Sequence, residues 1–168
     1  MQKRMKGELR KDQILDCSKK IFSEKGYYET YVEEIIKEAR VGKGTFYRYF
    51  MNKEDLFISV LIKFLNEWEE FASIDMSEFK SDNINDLFKI LISRSFKFFQ
   101  ENEELCNIYL RIGPGLNNIF EPYLVRFEQQ MLNYIILYLQ EGIKLGIIRK
   151  DIDIELAANM VAGAFLRV

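Results

Sequence analysis

Residues 27–56 read YYETYVEEIIKEARVGKGTFYRYFMNKEDL, and this stretch decides the fold. Thr30-x-x-Glu33 has the form of a capping box, so a short helix opens there with Val32, Ile35, Ile36 and Ala39 on one face. Val41 and Gly42 make a brief turn. A second short helix, about Lys43 to Phe50, puts Phe46 and Phe50 inward and leaves Lys43, Gly44, Tyr47 and Arg48 outward. Two short helices joined by a tight turn, with a supporting helix before them and a cation after them, form a helix-turn-helix. Val41 plugs the gap between the helices. Gly44, lacking a side chain, lets the second helix approach a duplex closely. Thr45, Tyr47 and Tyr49 offer hydroxyls to phosphates, and Lys53 stands at the start of the next helix, where an anion is favoured.

The pattern stays helical on either side. Upstream, Ile14, Cys17, Ser18, Ile21 and Phe22 share one helical face, and Lys25-Gly26 supplies a basic last turn and a left-handed stop. Downstream, a helix from Glu54 carries Phe57, Leu61, Phe64, Trp68 and Phe71, and a polar loop follows over 73–83. Residues 84–101 are apolar on most faces, as expected of a helix at the centre of a bundle. A helix from Glu103 to Ile112 ends at Gly113-Pro114-Gly115. A long one runs from Glu121-Pro122 to a stop at Gly146, and Asp153 caps a last helix rich in small residues. That helix is apolar up to Val168 with no stop, which reads either as a cut end or as one covered by a partner. No strand signal survives the periodicity test. The expected fold is all-α: an amino-terminal three-helix helix-turn-helix domain over 1–53, then a helical bundle over 54–168.

Composition supports this division and excludes much else. The net charge of −2 hides an asymmetry: residues 1–53 hold thirteen Lys and Arg against eight Asp and Glu, a net +5, and the remainder carries −7. The first part can therefore meet a polyanion that the rest repels. With no histidine, serine-protease-type triads, histidine-ligated zinc and imidazole pH switches are unavailable. No P-loop, G-x-S-x-G elbow or G-x-G-x-x-G occurs, and nothing points to an enzyme, a metal or a cofactor. Cys17 and Cys106 read as buried thiols rather than a disulfide. The start, MQKRMKGELRKDQ, lacks the apolar core of a signal peptide, and no apolar run is long enough to span a bilayer. A cytoplasmic protein without a membrane partner is expected.

The stretches Phe22-Ser-Glu-Lys-Gly-Tyr27, Thr30-x-Val-x-x-Ile35, Ala39-x-Val41, Lys43-Gly-Thr-Phe-Tyr-x-Tyr-Phe50 and Asn52-Lys-Glu-x-Leu56 are similar to the tetracycline-repressor (TetR) family of regulators. The match is dense over about the first third of the chain. The resemblance implies that Lys43, Gly44, Tyr47 and Arg48 face bases or their flanks, and that Thr45, Tyr47, Tyr49 and Lys53 clamp the phosphate backbone. Thr30 joins this set of DNA contacts. Arg40 stands where the family has a turn glycine, which predicts a strained turn and adds a candidate phosphate contact. Gly42 replaces the usual serine, and Tyr31 a usual hydroxyl residue. The basic leader with Lys3, Arg4, Lys6, Arg10 and Lys11 is either a disordered tail or a minor-groove arm.

The family further implies a homodimer on a roughly palindromic operator in double-stranded DNA, released by a small effector bound in the larger domain. Trp68, Phe88, Phe96, Phe99, Tyr109 and Phe127 form an aromatic stripe that is either plain core or the lining of an apolar effector pocket. Arg111, alone in an apolar helix, either binds an anionic group of the effector or pairs with Glu104 or Glu128. The small residues 157–164 pack closely, across a dimer or within one subunit. The rival reading is a DNA-bound structural or division-control protein of the same fold that takes no effector.

Overall fold

A computed structural model describes the backbone of residues 2–72, 84–112 and 119–166, and their side chains except at 2–6, 84–85, 87–88, 91, 110–112 and 165–166. The described residues form eight α-helices and no strand. These are α1 Gln2–Lys25, α2 Val32–Glu38, α3 Lys43–Tyr49, α4 Lys53–Ala72, α5 Ile84–Glu101, α6 Glu103–Ile112, α7 Glu121–Lys144 and α8 Ile154–Leu166. The all-α expectation holds, and the helix ends fall within a residue or two of those read from the sequence. The loop 73–83 and the stop at Gly113-Pro114-Gly115 lie outside the described residues.

Local chemistry sets these ends. Gly26 (φ +80°) lets its N–H reach back to the Phe22 carbonyl at 2.8 Å and closes α1. Gly146 (φ +73°) closes α7 through two bonds, Gly146 N to Ile143 O at 3.0 Å and Ile147 N to Gly142 O at 2.9 Å. Asp153 caps α8, its carboxylate accepting from the Leu156 N–H at 3.0 Å. At the other end of the chain the backbone of the basic leader continues α1 back to Gln2, in place of a disordered tail. Only Gly7 interrupts good helix formers there, and one internal glycine costs a helix about 1 kcal/mol.

The chain divides into two compact units. The first holds residues 1–64 and 102–120, the second 65–101 and 121–168. These units do not follow the functional division drawn after residue 53: α4 contributes its first twelve residues to the first unit, and α6 returns to that unit. In the first unit α1 packs on α2 and α6. Its core joins Ile14 and Phe22 to Ile35, Phe46, Phe50 and Phe57, all at most 1% exposed. Phe22, Tyr27, Phe57 and Phe120 stack into it with edge-on or tilted rings 4.7–5.0 Å apart. Cys17 and Cys106 are half-buried thiols, and burial pushes Cys106 up to about 11, so it is protonated and inert at neutral pH.

In the second unit Trp68 is the hub, with the rings of Phe71, Phe98, Phe99, Phe127 and Tyr134 at 5.2–5.7 Å. α7 packs on α8 and on the segment between them. Gly142 admits Ile148 so closely that a Cβ there would stand 2.7 Å from its Cδ1. Two expectations need correction. Helix α5 is not enclosed on most faces: it buries Ser95 and Phe98 but leaves Ile90, Ile92 and Phe96 exposed. A helix apolar all round shows only that some face will be covered, not which. Ala158 and Ala162, at 0% and 5% exposure, are buried within this one chain, so their small size serves packing inside the subunit.

Candidate functional site

Helix α2 ends in a paired cap. Arg40 N–H bonds the Lys37 carbonyl and Val41 N–H the Ile36 carbonyl, both at 3.1 Å. That geometry needs a left-handed residue, and the residue is Arg40, at φ +49°. The strain expected where an arginine replaces the turn glycine is therefore present. A side chain in this region costs about 1–2 kcal/mol, of which glycine's extra flexibility takes back part. Arg40→Gly is expected to raise the unfolding free energy by about 0.5–1 kcal/mol in urea titration. No gain in stability would show the turn is relaxed around arginine. Gln13 on α1 adds a brace, its amide donating to the Ala39 carbonyl at 3.0 Å.

After this turn α3 runs for seven residues. Phe46 and Phe50, 0% and 1% exposed with centroids 5.7 Å apart, fix its inner face. Lys43, Gly44, Tyr47 and Arg48 are exposed on the other side. A Cβ at Gly44 would meet nothing within 4 Å, so the chain's own packing does not require glycine there. Lys43 lies 3.7 Å from Glu33, an open pair that leaves the ammonium available to a stronger anion. Thr45 is half-buried. Tyr49 is half-buried too, its hydroxyl 3.5 Å from where a Gly7 Cβ would stand, and the Arg48 guanidinium lies 5.0 Å from the centre of its ring.

Two residues read as DNA contacts are engaged in holding the fold. Thr30 is fully buried and its hydroxyl donates to the Gly26 carbonyl at 2.7 Å. It does not open α2. The N-cap is Tyr31, whose N–H donates to the Glu34 carboxylate at 3.2 Å, so the box sits one residue later than Thr30-x-x-Glu33. Lys53 Nζ donates to the carbonyls of Tyr27 at 2.8 Å, Thr30 at 3.0 Å and Tyr28 at 3.3 Å, and lies 4.4 Å from the centre of the Tyr27 ring. An ammonium has three N–H groups, and these carbonyls take all three. A cation is misplaced at a helix N-terminus, and here it is stabilised by the orphan carbonyls between α1 and α2. Partial burial accordingly lowers its pKa. The start of α4 is capped by Asn52, which accepts from the Asp55 N–H at 2.8 Å.

Lys53→Met therefore costs about 1–2 kcal/mol of stability by leaving three carbonyls without their cation. The salt dependence of DNA binding should stay as it was. A flatter salt slope at unchanged stability would restore Lys53 to the phosphates.

Of the residues read as an effector pocket, Trp68, Phe99 and Phe127 come together in the second unit. Phe96 is 45% exposed, and Tyr109 is half-buried in the first unit. The side chains of Phe88 and Arg111 lie outside the described residues. The sequence reading passed over Tyr134, Tyr138 and Arg94. For the tyrosines a signal was legible, since they stand one helical turn apart on α7, whereas Arg94 is one of three cations on α5 and nothing local sets it apart from Lys89 and Lys97. Among the described residues no group of acidic and thiol side chains could hold a metal ion, and no helix is long and apolar enough to cross a membrane.

Comparison with known proteins agrees with this architecture. The family model described as bacterial regulatory proteins, tetR family, matches residues 14–60, the helix-turn-helix and the helices that flank it. An uncharacterised HTH-type transcriptional regulator of Bacillus subtilis (strain 168), YhgD, is 34% identical over 165 residues, 94% of this chain and 81% of that protein. The fatty acid metabolism regulator protein of the same organism is 29% identical over 159 residues, 90% of this chain and 77% of that one. The crystal structure of the transcriptional regulator FadR from Bacillus subtilis in complex with stearoyl-CoA superposes with a TM-score of 0.74 at 28% identity, covering 90% of this chain and 80% of that one. Relatives of this kind are regulators rather than enzymes. This chain belongs to the tetR family of bacterial regulatory proteins and is a DNA-binding transcription regulator.

Proposed function

We propose that the protein is a cytoplasmic, homodimeric repressor that holds a palindromic operator and releases it when an acyl-chain effector binds. In this reading residues 1–53 read the DNA, and residues 54–168 bind the effector and dimerise. The observation that carries it is α3: an outward row of Lys43, Gly44, Tyr47 and Arg48 on a helix whose inward phenylalanines fix its orientation. Lys43, Gly44, Tyr47 and Arg48 contact base edges or their flanks, with Thr45, Tyr49 and Arg40 toward the backbone. Sequencing duplexes selected from a random pool tests this. Enrichment of a palindrome with half-sites about one DNA turn apart supports it, and a motif without two-fold symmetry contradicts it.

The effector class rests on the aromatic cluster around Trp68 together with relatives that regulate fatty acid metabolism or bind stearoyl-CoA. A ligand that releases DNA must bind the DNA-free conformation better. Helix α4, continuous from the first unit into the second, links the two events.

The dimer surface is the outer face of α7 and α8. Leu137, Leu156 and Met160 are 63%, 59% and 69% exposed on these helices, and a groove on them is lined by Gln129, Leu132, Asn133, Ile136, Glu155 and Asn159. Apolar side chains this open on neighbouring helices are characteristic of an interface. Leu156→Glu with Met160→Glu should give monomers by sedimentation while helix content is kept. Ala158 and Ala162, buried inside the subunit, are the wrong positions for this test. Dimers that survive both charges would place the interface elsewhere.

A further inference from the structure

The second unit buries polar atoms that make no hydrogen bond of good geometry among the described residues. Trp68, Tyr134 and Tyr138 are 1%, 7% and 8% exposed, yet the indole Nε1 and both phenolic oxygens lack a hydrogen bond of good geometry. Their rings form a continuous row, Trp68 to Tyr134 at 5.7 Å and Tyr134 to Tyr138 at 4.6 Å between centroids. Burial pushes both phenols up, so each keeps its proton and can donate. The two hydroxyls act on each other, the buried Ser95 hydroxyl acts on Tyr134, and the Arg94 guanidinium acts on both.

Arg94 itself is half-buried, 5.4 Å from the centre of the Phe71 ring, and no carboxylate among the described residues pairs with it. Native proteins rarely leave buried donors without acceptors. An indole N–H and a guanidinium can only donate, and a phenol donates readily. Against these donors stand few acceptors, the Ser95 hydroxyl beside Tyr134, the phenol oxygens themselves and the unsatisfied Gln130 Oε1, so an added acceptor oxygen suits the group. The rings packed on Trp68 are aromatic, so a ligand whose oxygen meets these donors would be apolar elsewhere.

We propose that Trp68 Nε1, Tyr134 Oη, Tyr138 Oη and the Arg94 guanidinium form the polar end of the effector site and bind the head oxygen of an acyl chain. The chain itself lies among the rings packed on Trp68. This rests on the effector reading above and adds the groups that select the ligand. The oxygen is a fatty-acid carboxylate or the carbonyl of an acyl thioester, and the two ligands are tested separately.

Trp68 is the chain's single tryptophan, so its fluorescence reports occupancy of this site without reference to DNA. Stearate, stearoyl-CoA and octadecanol are titrated into the full chain and into Tyr134→Phe, Tyr138→Phe and the double variant. Each change removes one donor and keeps the ring. If the preferred acyl ligand is the thioester, affinity should fall about three- to tenfold per hydroxyl, the worth of one neutral hydrogen bond. If it is the carboxylate, whose hydrogen bonds are charge-assisted, the fall should be about ten- to a hundredfold. Octadecanol should bind more weakly than the preferred acyl ligand and lose less. The tighter of stearate and stearoyl-CoA identifies the source of the oxygen.

Ligand-free variants should melt close to the unmodified protein, because neither hydroxyl makes a hydrogen bond of good geometry there and only their weaker mutual contact and that of Tyr134 with Ser95 are lost. A melting point lowered by as much as a full buried hydrogen bond, about 1 kcal/mol per hydroxyl, would mean that the hydroxyls are already satisfied, and the proposal falls. Acyl ligands that bind all four proteins within twofold overturn the assignment of these side chains, whose donors would then hold a buried water only, and leave the effector reading intact. If neither acyl ligand binds the unmodified protein, the acyl-effector reading falls and this assignment with it.

Discussion

Reversing both charges on the outward face of α3, with Lys43→Glu and Arg48→Glu in one chain, should lower operator affinity at least about a hundredfold, since each contact to a base edge carries about 1–3 kcal/mol. The two changes remove four units of charge from a region that carries only +5. The weakened Coulombic attraction adds to the lost contacts, and the loss should be greatest at low salt. Both side chains are exposed, and the Lys43–Glu33 pair is open to solvent, so folding should be little affected. Lys144→Glu with Lys150→Glu makes the same change of charge in the second unit and should leave affinity within a few-fold. Electrophoretic mobility shift of all three proteins checks this. Equal losses from the two double variants would reduce the effect to net charge, and no loss from the α3 pair would remove that face from the DNA.

Phe46→Ala should cost about 3–5 kcal/mol of stability, the usual range for a fully buried phenylalanine truncated to alanine. Phe46 has no exposed surface, and its ring meets Phe50 at 5.7 Å and Tyr47 at 5.2 Å. A domain of this size has about 5–15 kcal/mol in total, so the variant sits near its limit. DNA binding should fail on warming although Phe46 touches no DNA. Urea unfolding followed by circular dichroism measures the cost. A loss below about 1 kcal/mol would mean that the interior under α3 closes over the gap, and that the helix is less firmly seated than its burial implies.

The parts of this molecule that sequence made legible are those settled by neighbours in the chain. The stop at Lys25-Gly26, the stop at Gly146 and the cap at Asp153 each depend on groups within five residues, and each occurs as read. The inward phenylalanines of α3 follow from helical periodicity in the same way. Misreadings begin where a group chooses among distant partners. Lys53 takes carbonyls 23 to 26 residues away, which no local spacing announces. Thr30 had two uses for its hydroxyl, opening a helix or closing the turn behind it. The neighbouring Tyr31 and Glu34 supplied the first, so Thr30 took the second.

Tertiary assignment was less legible still. Nothing in Glu103–Ile112 tells that α6 belongs to the first unit, because its amphipathic face would suit either core. Small residues at 157–164 fit close packing of any kind, and only burial inside the chain separates Ala158 from the open Leu156 and Met160. The aromatic stripe was sorted by the same means. Trp68, Phe99 and Phe127 met, Phe96 turned outward, and Tyr109 went to the other unit. Around Trp68 the polar members Tyr134, Tyr138 and Arg94 were hidden among residues that look like core.

The most direct measurement follows the anisotropy of a labelled operator duplex, bound by the unmodified protein, as stearoyl-CoA is added, with Trp68 fluorescence recorded in the same samples. The account predicts that the protein leaves the DNA as Trp68 reports occupancy, with operator affinity weakened about 5- to 150-fold at saturation. Anisotropy that stays constant while Trp68 shows the site filled would contradict it, and would leave a DNA-binding protein whose hold on its operator this ligand does not control.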